Sequence, residues 1–272
     1  MLISATSALV LNWTSKEIWE SKNAREYFEG LDLSEGNNLL NRFDEQECYM
    51  HTQSVTNRKY FVRKYTLEFL NTCQNENKKG QVIILAAGIA PLSVEIASLF
   101  PKSLVFDVDK YSMSEKEKYL NNICPNIKFI DCDITNIKLL KEKLLQHGWN
   151  PAQPVLLIME GITYYLLEND LKNIFDFFGN HHSLMIADFF LTPEYTNAKN
   201  RIFGVEVFRK IKEDVGLDFV NFYDPEYFMA LVKGCGFKNA KRYTMDEIQL
   251  ERTGQKVPFD FEEPGWITMV KN

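Results

Sequence analysis

Acidic side chains stand at the ends of several apolar runs in this sequence, where buried strands are expected to finish. The residues with this placement are Asp107, Asp109, Asp133, Glu160 and Asp188. Carboxylates at such positions accept hydrogen bonds from ammonium groups and hydroxyls, and each such charge-assisted bond contributes about 1.5–3 kcal/mol. Their pattern predicts a site for a polar small molecule, with no metal. Ordinary solvated strand ends are the alternative interpretation.

A loop of small residues precedes the first two of these acids. Val82–Leu85 is an apolar, mostly β-branched run that predicts a buried strand, and Ala86-Ala87-Gly88 follows it directly. Pro91 stands where the first turn of a helix would begin. Strand, loop, helix, strand and terminal acid describe half of a nucleotide-binding βαβ unit. The dinucleotide fingerprint G-x-G-x-x-G is absent, and Ala86 at its first position requires a backbone that avoids positive φ.

Strands and helices alternate through the middle of the chain, which predicts a parallel sheet with a ligand crevice at the carboxyl ends of its strands. Residues 1–79 are predicted to be helical, residues 80–190 to carry the alternation, residues 191–222 to form a helical insertion and residues 223–272 to add the last strands. The predicted helices are 14–28, 38–50, 56–73, 92–100, 136–147, 168–178 and 225–233. The predicted strands are 82–85, 104–108, 127–134, 154–160, 182–188, 241–249 and the tail at 266–272. The closing pair of strands is unlike the NAD-binding order and fits a methyltransferase sheet.

Composition narrows the class of protein. The chain has 272 residues, a formal net charge of −6 and no basic excess, which argues against binding to nucleic acid. Five cysteines without a CxxC pair favour free thiols in a reducing compartment. No run approaches the roughly 18 apolar residues of a membrane span, and the apolar start lacks a basic leader. We therefore expect a soluble cytoplasmic protein of a single domain, without a membrane or nucleic-acid partner.

Five stretches in order, all within residues 57–254, resemble the leucine carboxyl methyltransferase-like family of S-adenosylmethionine-dependent O-methyltransferases. They are NRKYFVRKY, ILAAGIAPLS, VFDVD, CDITN and MEGITYYLLEND. The resemblance implies a class I, Rossmann-like methyltransferase fold with a seven-stranded, mostly parallel sheet. Ala86 and Ala90-Pro91 depart from the family's glycine loop, which leaves the strength of cofactor binding open.

The resemblance also implies which residues bind S-adenosylmethionine. Arg63 would hold the methionine carboxylate, because a guanidinium can bind it bidentately. Ala87 and Gly88 would form the loop, Asp109 would bind the ribose with Asp107 in support, Asp133 and Ile134 would flank the adenine, and Glu160 with Gly161 would lie near the amino group. Lys16, in the opening helix, is a further candidate for a basic contact.

The acceptor is predicted from what methyl transfer requires. Displacement at a sulfonium methyl group depends mostly on alignment and desolvation, and a carboxylate acceptor needs no base, whereas an alcohol does. The sequence has only four histidines, which favours a carboxylate or an acidic hydroxyl. Tyr165 and Asp188 are the catalytic candidates, and Tyr164, Arg201 and His51 are the candidates for contact with substrate.

Three classes of function remain open at this point. An O-methyltransferase for a small-molecule or carrier-bound acceptor in specialised polyketide or peptide metabolism is the leading one. Methylation of a protein's C-terminal carboxylate is the alternative within the family. A cofactor-binding module without catalysis would fit the altered loop, and a nicotinamide dehydrogenase is disfavoured by the missing fingerprint. The sequence gives no indication of the oligomeric state.

Overall fold

The computed structural model describes residues 4–111, 113–120, 122–181, 183–192, 194, 208–210, 212 and 220–255, and the backbone of 267–271. The named helices are α1 (Ala5–Asn12), α2 (Lys22–Glu29), α3 (Ser34–Leu40), α4 (Glu45–Asn75), α5 (Leu92–Leu99), α6 (Met113–Leu120), α7 (Ile137–Gln146), α8 (Glu168–Gly179), α9 (Pro225–Gly234) and α10 (Met245–Thr253). The strands are β1 (Gln81–Leu85), β2 (Leu104–Asp109), β3 (Ile127–Asp131), β4 (Val155–Met159), β5 (Ser183–Phe190), β6 (Lys241–Thr244) and β7 (Ile267–Lys271). Short 3₁₀ turns lie at Lys16–Ile18 and Thr163–Tyr165.

The strands form one sheet in the order β3-β2-β1-β4-β5-β7-β6. Strands β1 to β5 are parallel, and β7 pairs antiparallel with both β5 and β6 at one edge. The order reverses between β1 and β4, and a crevice opens above the carboxyl ends of parallel strands at such a switch point.

Helices cover both faces of the sheet, because successive side chains of a buried strand point in opposite directions. On β1, Val82 and Ile84 pack in one cluster with residues of α2, α4 and α5. Ile83 and Leu85 pack in the opposite cluster with residues of α7, α8 and α9. Since both faces are apolar, the strand sequence is a continuous hydrophobic run, as expected for a parallel sheet.

The long helix α4 runs through most of the two helices predicted at 38–50 and 56–73. A capping box begins it: the Asp44 carboxylate accepts from the Glu47 amide at 2.8 Å, and the Glu47 carboxylate accepts from the Asp44 amide at 2.9 Å. The predicted break at residues 51–55 was wrong. That stretch holds neither glycine nor proline, so nothing stops the helix.

The structure differs from the sequence prediction at a further strand and a further helix. The strand predicted at 241–249 ends at Thr244, whose side chain caps α10 in a second capping box with Glu247. Helix α6, between β2 and β3, was not predicted. Most of the insertion predicted at 191–222 lies outside the described residues, and 208–210 within it are helical. None of the described helices is long and apolar enough to cross a membrane.

Candidate active site

The carboxyl ends of β1, β2 and β4 open into a cavity of about 350 Å³. The loops after these strands form its floor, and α1 and α4 cover it. The residues that line it are Thr6, Ser7, Val10, Leu11, Arg58, Lys59, Ile84, Ala86, Ala87, Gly88, Ile89, Ala90, Leu92, Asp107, Asp109, Glu160, Gly161, Ile162, Tyr164 and Tyr165.

The loop after β1 has an unusual backbone at its first residue. Ala86 has a φ of +55° and Gly88 a φ of +49°, so both lie in the left-handed region. The expectation that Ala86 avoids positive φ was wrong. A residue with a Cβ loses about 1–2 kcal/mol in that conformation, and such strain persists only where surrounding contacts impose it.

Side chains of β2 and α6 contact this loop at Gly88 and Ala90. The Gly88 amide donates to Asp109 Oδ2 at 2.8 Å. On the other side of the loop, the ammonium group of Lys116 donates to the carbonyl oxygens of Gly88 and Ala90, each at 3.1 Å. The Lys116 side chain is fully buried. The loop is thus fixed from two sides, once through an amide and twice through carbonyls.

The two acids of β2 differ in how their oxygens are used. Asp107 is fully buried, and its Oδ2 accepts from Ser93 Oγ at 2.6 Å and lies 2.7 Å from Lys116 Nζ. Its Oδ1 is buried without a hydrogen-bond partner. Asp109 accepts from two backbone amides, those of Gly88 and Tyr111. Asp107 therefore keeps one buried acceptor without a partner in the cavity wall, whereas Asp109 accepts from the backbone of the loop and of the turn after β2.

A buried cluster of four charges lies in and behind the cavity wall that follows β4 and faces α4. Glu160 Oε1 is 2.9 Å from Arg58 Nε and 2.7 Å from Lys59 Nζ. Asp188 Oδ2 lies 3.4 Å from Arg58 Nη1, and Asp188 Oδ1 accepts from the Gly161 amide at 2.7 Å. Among the described residues, Arg58 Nη2 and Glu160 Oε2 have no hydrogen-bond partner. A guanidinium nitrogen and a carboxylate oxygen are therefore left for a ligand, and the Lys59 ammonium, which has three donors, has one partner among the described residues.

Burial and mutual attraction set the protonation of this cluster. Burial raises the pKa of Asp188 to about 6, although Arg58 opposes the shift. Burial acts on Glu160 in the same direction, but Lys59 and Arg58 outweigh it and lower the pKa of Glu160. Burial lowers the pKa of Lys59 against the attraction of Glu160. At neutral pH Glu160 is therefore ionised, and Asp188 titrates just below that range.

Arg63 does not reach the cavity, and the prediction that it binds the cofactor's carboxylate needs correction. Its Nη2 lies 2.7 Å from Glu95 and 3.0 Å from Glu20, on the side of α4 that faces α5. Five residues along an α-helix turn a side chain by about 140°, so Arg58 and Arg63 point in very different directions. The structure places Arg58 and Lys59 at the cavity instead.

Asp133 and Ile134 also lie outside the cavity. Asp133 Oδ1 accepts from the amide and hydroxyl of Thr135, and its Oδ2 is 3.1 Å from Lys110 Nζ. The hydrogen bond from Thr135 lowers the pKa of Asp133. Ile134 is buried in the core cluster on the α7 side of the sheet. The predicted adenine contacts are therefore not among the residues that line the cavity.

Tyr165 and Asp188, predicted to be catalytic, and Tyr164, predicted to contact substrate, do not all lie at the cavity. Tyr164 and Tyr165 line the cavity, and burial raises the pKa of Tyr165 to about 12. The Tyr164 hydroxyl accepts from Arg58 Nη1 at 3.5 Å. Asp188 lies behind Arg58 and the Gly161 turn without lining the cavity. Its contacts indicate that it positions these two groups, and its predicted role in catalysis stays a prediction.

The remaining candidates from the sequence lie elsewhere. His51 is buried in the N-terminal helices, 4.7 Å from the Trp13 ring and 5.4 Å from the Phe43 ring by centroid distance, and does not line the cavity. Lys16 is exposed in a 3₁₀ turn. Arg201 lies outside the described residues. The structure thus brings together Ala87, Gly88, Asp107, Asp109, Glu160, Gly161, Tyr164 and Tyr165.

Sequence reasoning missed three contributors to the site. Arg58 and Lys59 stand in the same basic segment as Arg63, and only the helical phase separates them. Lys116 lies between Met113 and Leu120 at helical spacing, on the face where apolar residues are expected. A lysine on the apolar face of a helix is the signal that could have identified it. No comparable signal marks the part of α1 that covers the cavity.

Comparison with known proteins places this fold among the Rossmann-like methyltransferases. The family model described as leucine carboxyl methyltransferase matches residues 17–179. The chain belongs to the leucine carboxyl methyltransferase family. The resemblance drawn from the five sequence stretches is therefore confirmed, and so is the α/β methyltransferase fold with a parallel sheet.

Two solved structures are similar over nearly the whole chain. A putative methyltransferase from Thermobifida fusca YX is 13% identical, with a TM-score of 0.64 over 97% of this chain and 92% of that one. A DUF574 family protein from Streptomyces avermitilis MA-4680 is also 13% identical, with a TM-score of 0.61 over 97% and 95% of the two chains. At this identity they show the fold alone. A comparison with curated protein sequences finds no match.

Proposed function

We propose that this chain is an S-adenosylmethionine-dependent O-methyltransferase that acts on a carboxylate or hydroxyl of a small-molecule or carrier-bound acceptor. The observation that carries the proposal is the pairing of Arg58 and Glu160 in the wall of a cavity that is also lined by Asp107, whose Oδ1 has no partner. The family membership supports methyl transfer as the reaction.

The open polar atoms fit the cofactor. Arg58 Nη2 can donate to the methionine carboxylate, and Glu160 Oε2 can accept from the ammonium group. Asp107 Oδ1 can accept from a ribose hydroxyl, and it is a buried acceptor that otherwise loses hydrogen-bond energy. Four acids and three bases line the cavity or contact its walls: Asp107, Asp109, Glu160, Asp188, Arg58, Lys59 and Lys116. This net negative balance complements a ligand with one net positive charge.

The cofactor supplies an electrophilic methyl group on a sulfonium. The protein's contribution is alignment and exclusion of water. Helix α1 covers the cavity with Val10 and Leu11, and Tyr164 and Tyr165 face it from the β4 side. Tyr164 is itself fixed by stacking on Phe190 with ring centroids 4.0 Å apart. This apolar and aromatic part of the cavity is the place where an acceptor can approach without bringing water.

A carboxylate acceptor agrees best with the groups at the cavity. No histidine is among the described residues that line it. The pKa of Tyr165 at about 12 and the raised pKa of Tyr164 keep both phenols protonated at neutral pH. Neither is therefore a general base there, and an ionised carboxylate needs none. Both phenols can instead donate a hydrogen bond to an anionic acceptor.

A methyl-transfer assay with a panel of acceptors tests the proposal. The purified chain is incubated with S-adenosylmethionine and with matched pairs of compounds that differ only in carrying a carboxylate or an alcohol. Formation of S-adenosylhomocysteine with a methylated acceptor supports the proposal. Mild alkali then releases methanol from a methyl ester but not from a methyl ether, which separates the two acceptor types. Binding of cofactor without transfer to any acceptor would favour a non-catalytic module.

Methylation of a protein C-terminus is the second candidate, because the description of the matching family names a leucine carboxyl group. A peptide that ends in leucine is tested against the same peptide with an amidated end. Alkali-labile methylation of the free acid alone would favour this candidate. Methylation confined to small acids would favour the small-molecule acceptor.

A further inference from the structure

We propose that Lys116 is a positioning residue that fixes the cofactor loop and orients Asp107. The proposal rests on the proposed function, because it assigns Lys116 a role in binding S-adenosylmethionine. Lys116 is not among the residues that line the cavity. Its three partners, however, all belong to the wall of the cavity: Gly88, Ala90 and Asp107.

The ammonium group of Lys116 has three partners in the cavity wall. A lysine ammonium has three donors, and Lys116 directs them to two carbonyls at 3.1 Å and one carboxylate oxygen at 2.7 Å. Its side chain is fully buried, as is that of Asp107. Because Lys116 and Ser93 both bind Oδ2, Oδ1 is the oxygen that remains without a partner.

The same contacts explain how the strained loop persists. While these two carbonyl oxygens accept from α6, the amides of Ala87 and Gly88 donate to β2, at the Val108 carbonyl and the Asp109 carboxylate. Lys116 thus connects helix α6 to the backbone that has positive φ at Ala86 and Gly88. A buried cation that bonds to carbonyls within a core also repays its desolvation only when all its partners are in place. The arrangement is therefore specific to this loop conformation.

Paired variants separate this role from a general effect of charge. Lys116→Met removes the ammonium at similar length, and Lys118→Met makes the same change at an exposed position of α6. Calorimetric titration with S-adenosylhomocysteine is expected to show at least a tenfold loss of affinity for a folded Lys116→Met and a change below twofold for Lys118→Met. The carbonyl ¹³C signals of Gly88 and Ala90 are expected to move in Lys116→Met only. A folded Lys116→Met that binds within twofold of wild type would overturn the proposal.

The wild-type chain provides a measurement that does not depend on a variant folding. In ¹⁵N spectra of lysine ammonium groups, Lys116 is expected to exchange slowly with water and to correlate with the Gly88 and Ala90 carbonyls before any ligand is added. Its signal is expected to shift on saturation with S-adenosylhomocysteine. A protected Lys116 signal that does not shift on saturation would contradict the positioning role. If wild type does not bind the ligand at all, the proposed function fails, while the correlations still test the loop contacts.

Discussion

Arg58 Nε and Glu160 Oε1 lie 2.9 Å apart in the cavity wall, although the two residues are 102 positions apart in the sequence. Helix α4 carries the guanidinium and the turn after β4 carries the carboxylate. Each keeps an open polar atom, Nη2 on one and Oε2 on the other. The carboxylate and the ammonium group of a zwitterionic amino acid complement these two open atoms. The proposed binding of the cofactor depends on this complementarity.

Replacing Arg58 is predicted to weaken cofactor binding, because its open donor would be lost. In calorimetry with S-adenosylhomocysteine, Arg58→Met is expected to lose at least tenfold in affinity, about 1.4 kcal/mol. Arg63→Met, the same change on the same helix, is expected to lower the melting temperature through loss of the Glu95 contact while leaving affinity within twofold. The opposite pattern would restore Arg63 as the ligand-binding arginine.

Ala86→Gly is predicted to stabilise the fold. Glycine has no Cβ to oppose a φ of +55°, and after its greater chain entropy is subtracted the expected gain is about 0.5–1 kcal/mol. Denaturation with urea measures the difference. Gly88→Ala is the matched comparison, since its added Cβ would lie 3.9 Å from Ser7 Oγ and meets only the cost of its φ of +49°. It should destabilise by about 1 kcal/mol, and a loss of stability in both variants would contradict the assigned strain.

The pH dependence of stability is predicted to contain a contribution from Asp188. Its pKa of about 6 in the folded chain exceeds the ordinary value of 3.8, so the folded chain holds this proton more tightly than the unfolded chain. Stability from this group is therefore full below about pH 4 and is lost as the pH rises through about 6, by on the order of 3 kcal/mol.

Asp188→Asn removes that titration. Denaturation of both proteins at about pH 4, 5, 6 and 7 should show a difference in stability that changes over this range and is constant above it. The charged and titratable groups that face Asp188 are Arg58, Lys59, Glu160, Tyr164 and Tyr165, and the Gly161 amide donates to it. Of these only Glu160 is a second acid, and its lowered pKa places its titration at the acid end. Parallel curves for the two proteins would contradict the raised pKa.

Two glycines of neighbouring helices are predicted to respond oppositely to alanine. At Gly179, the end of α8, an added Cβ would lie 1.8 Å from the Cys235 carbonyl oxygen, so Gly179→Ala should destabilise by more than about 2 kcal/mol. At Gly234, the end of α9, a Cβ meets no atom within 4 Å. Gly234→Ala should be neutral or stabilising by up to about 1 kcal/mol. Equal melting temperatures would show that α8 and the 235–236 turn do not pack this closely.

The sequence was a good guide to the sheet and to the acids at its edge. Apolar runs and the rule that ligands bind at the carboxyl ends of parallel strands sufficed to place Asp107, Asp109 and Glu160 in one cavity. Rotation about a helix was the main source of error. Arg58, Lys59 and Arg63 share one basic segment. The direction of each side chain depends on which side of α4 packs on the sheet, and tertiary contacts determine that side.

The backbone conformation of the loop and its long-range contacts could also not be predicted from the sequence. Ala86 has a positive φ that local preference argues against, in a loop that Asp109 and Lys116 contact from other elements at Gly88 and Ala90. Asp133 was misplaced because its side chain bonds within its own turn, an alternative always open to aspartate near a threonine. For Arg201, the predicted contact with substrate stays a prediction.

Calorimetric titration of the wild-type chain with S-adenosylmethionine, at neutral pH and moderate salt, tests the central claim most directly. Saturable binding at one site per chain is expected, with affinity that falls at least tenfold in Glu160→Gln, because the carboxylate that accepts from the ammonium group is lost. No heat of binding at millimolar cofactor, or an affinity unchanged in Glu160→Gln, would contradict it.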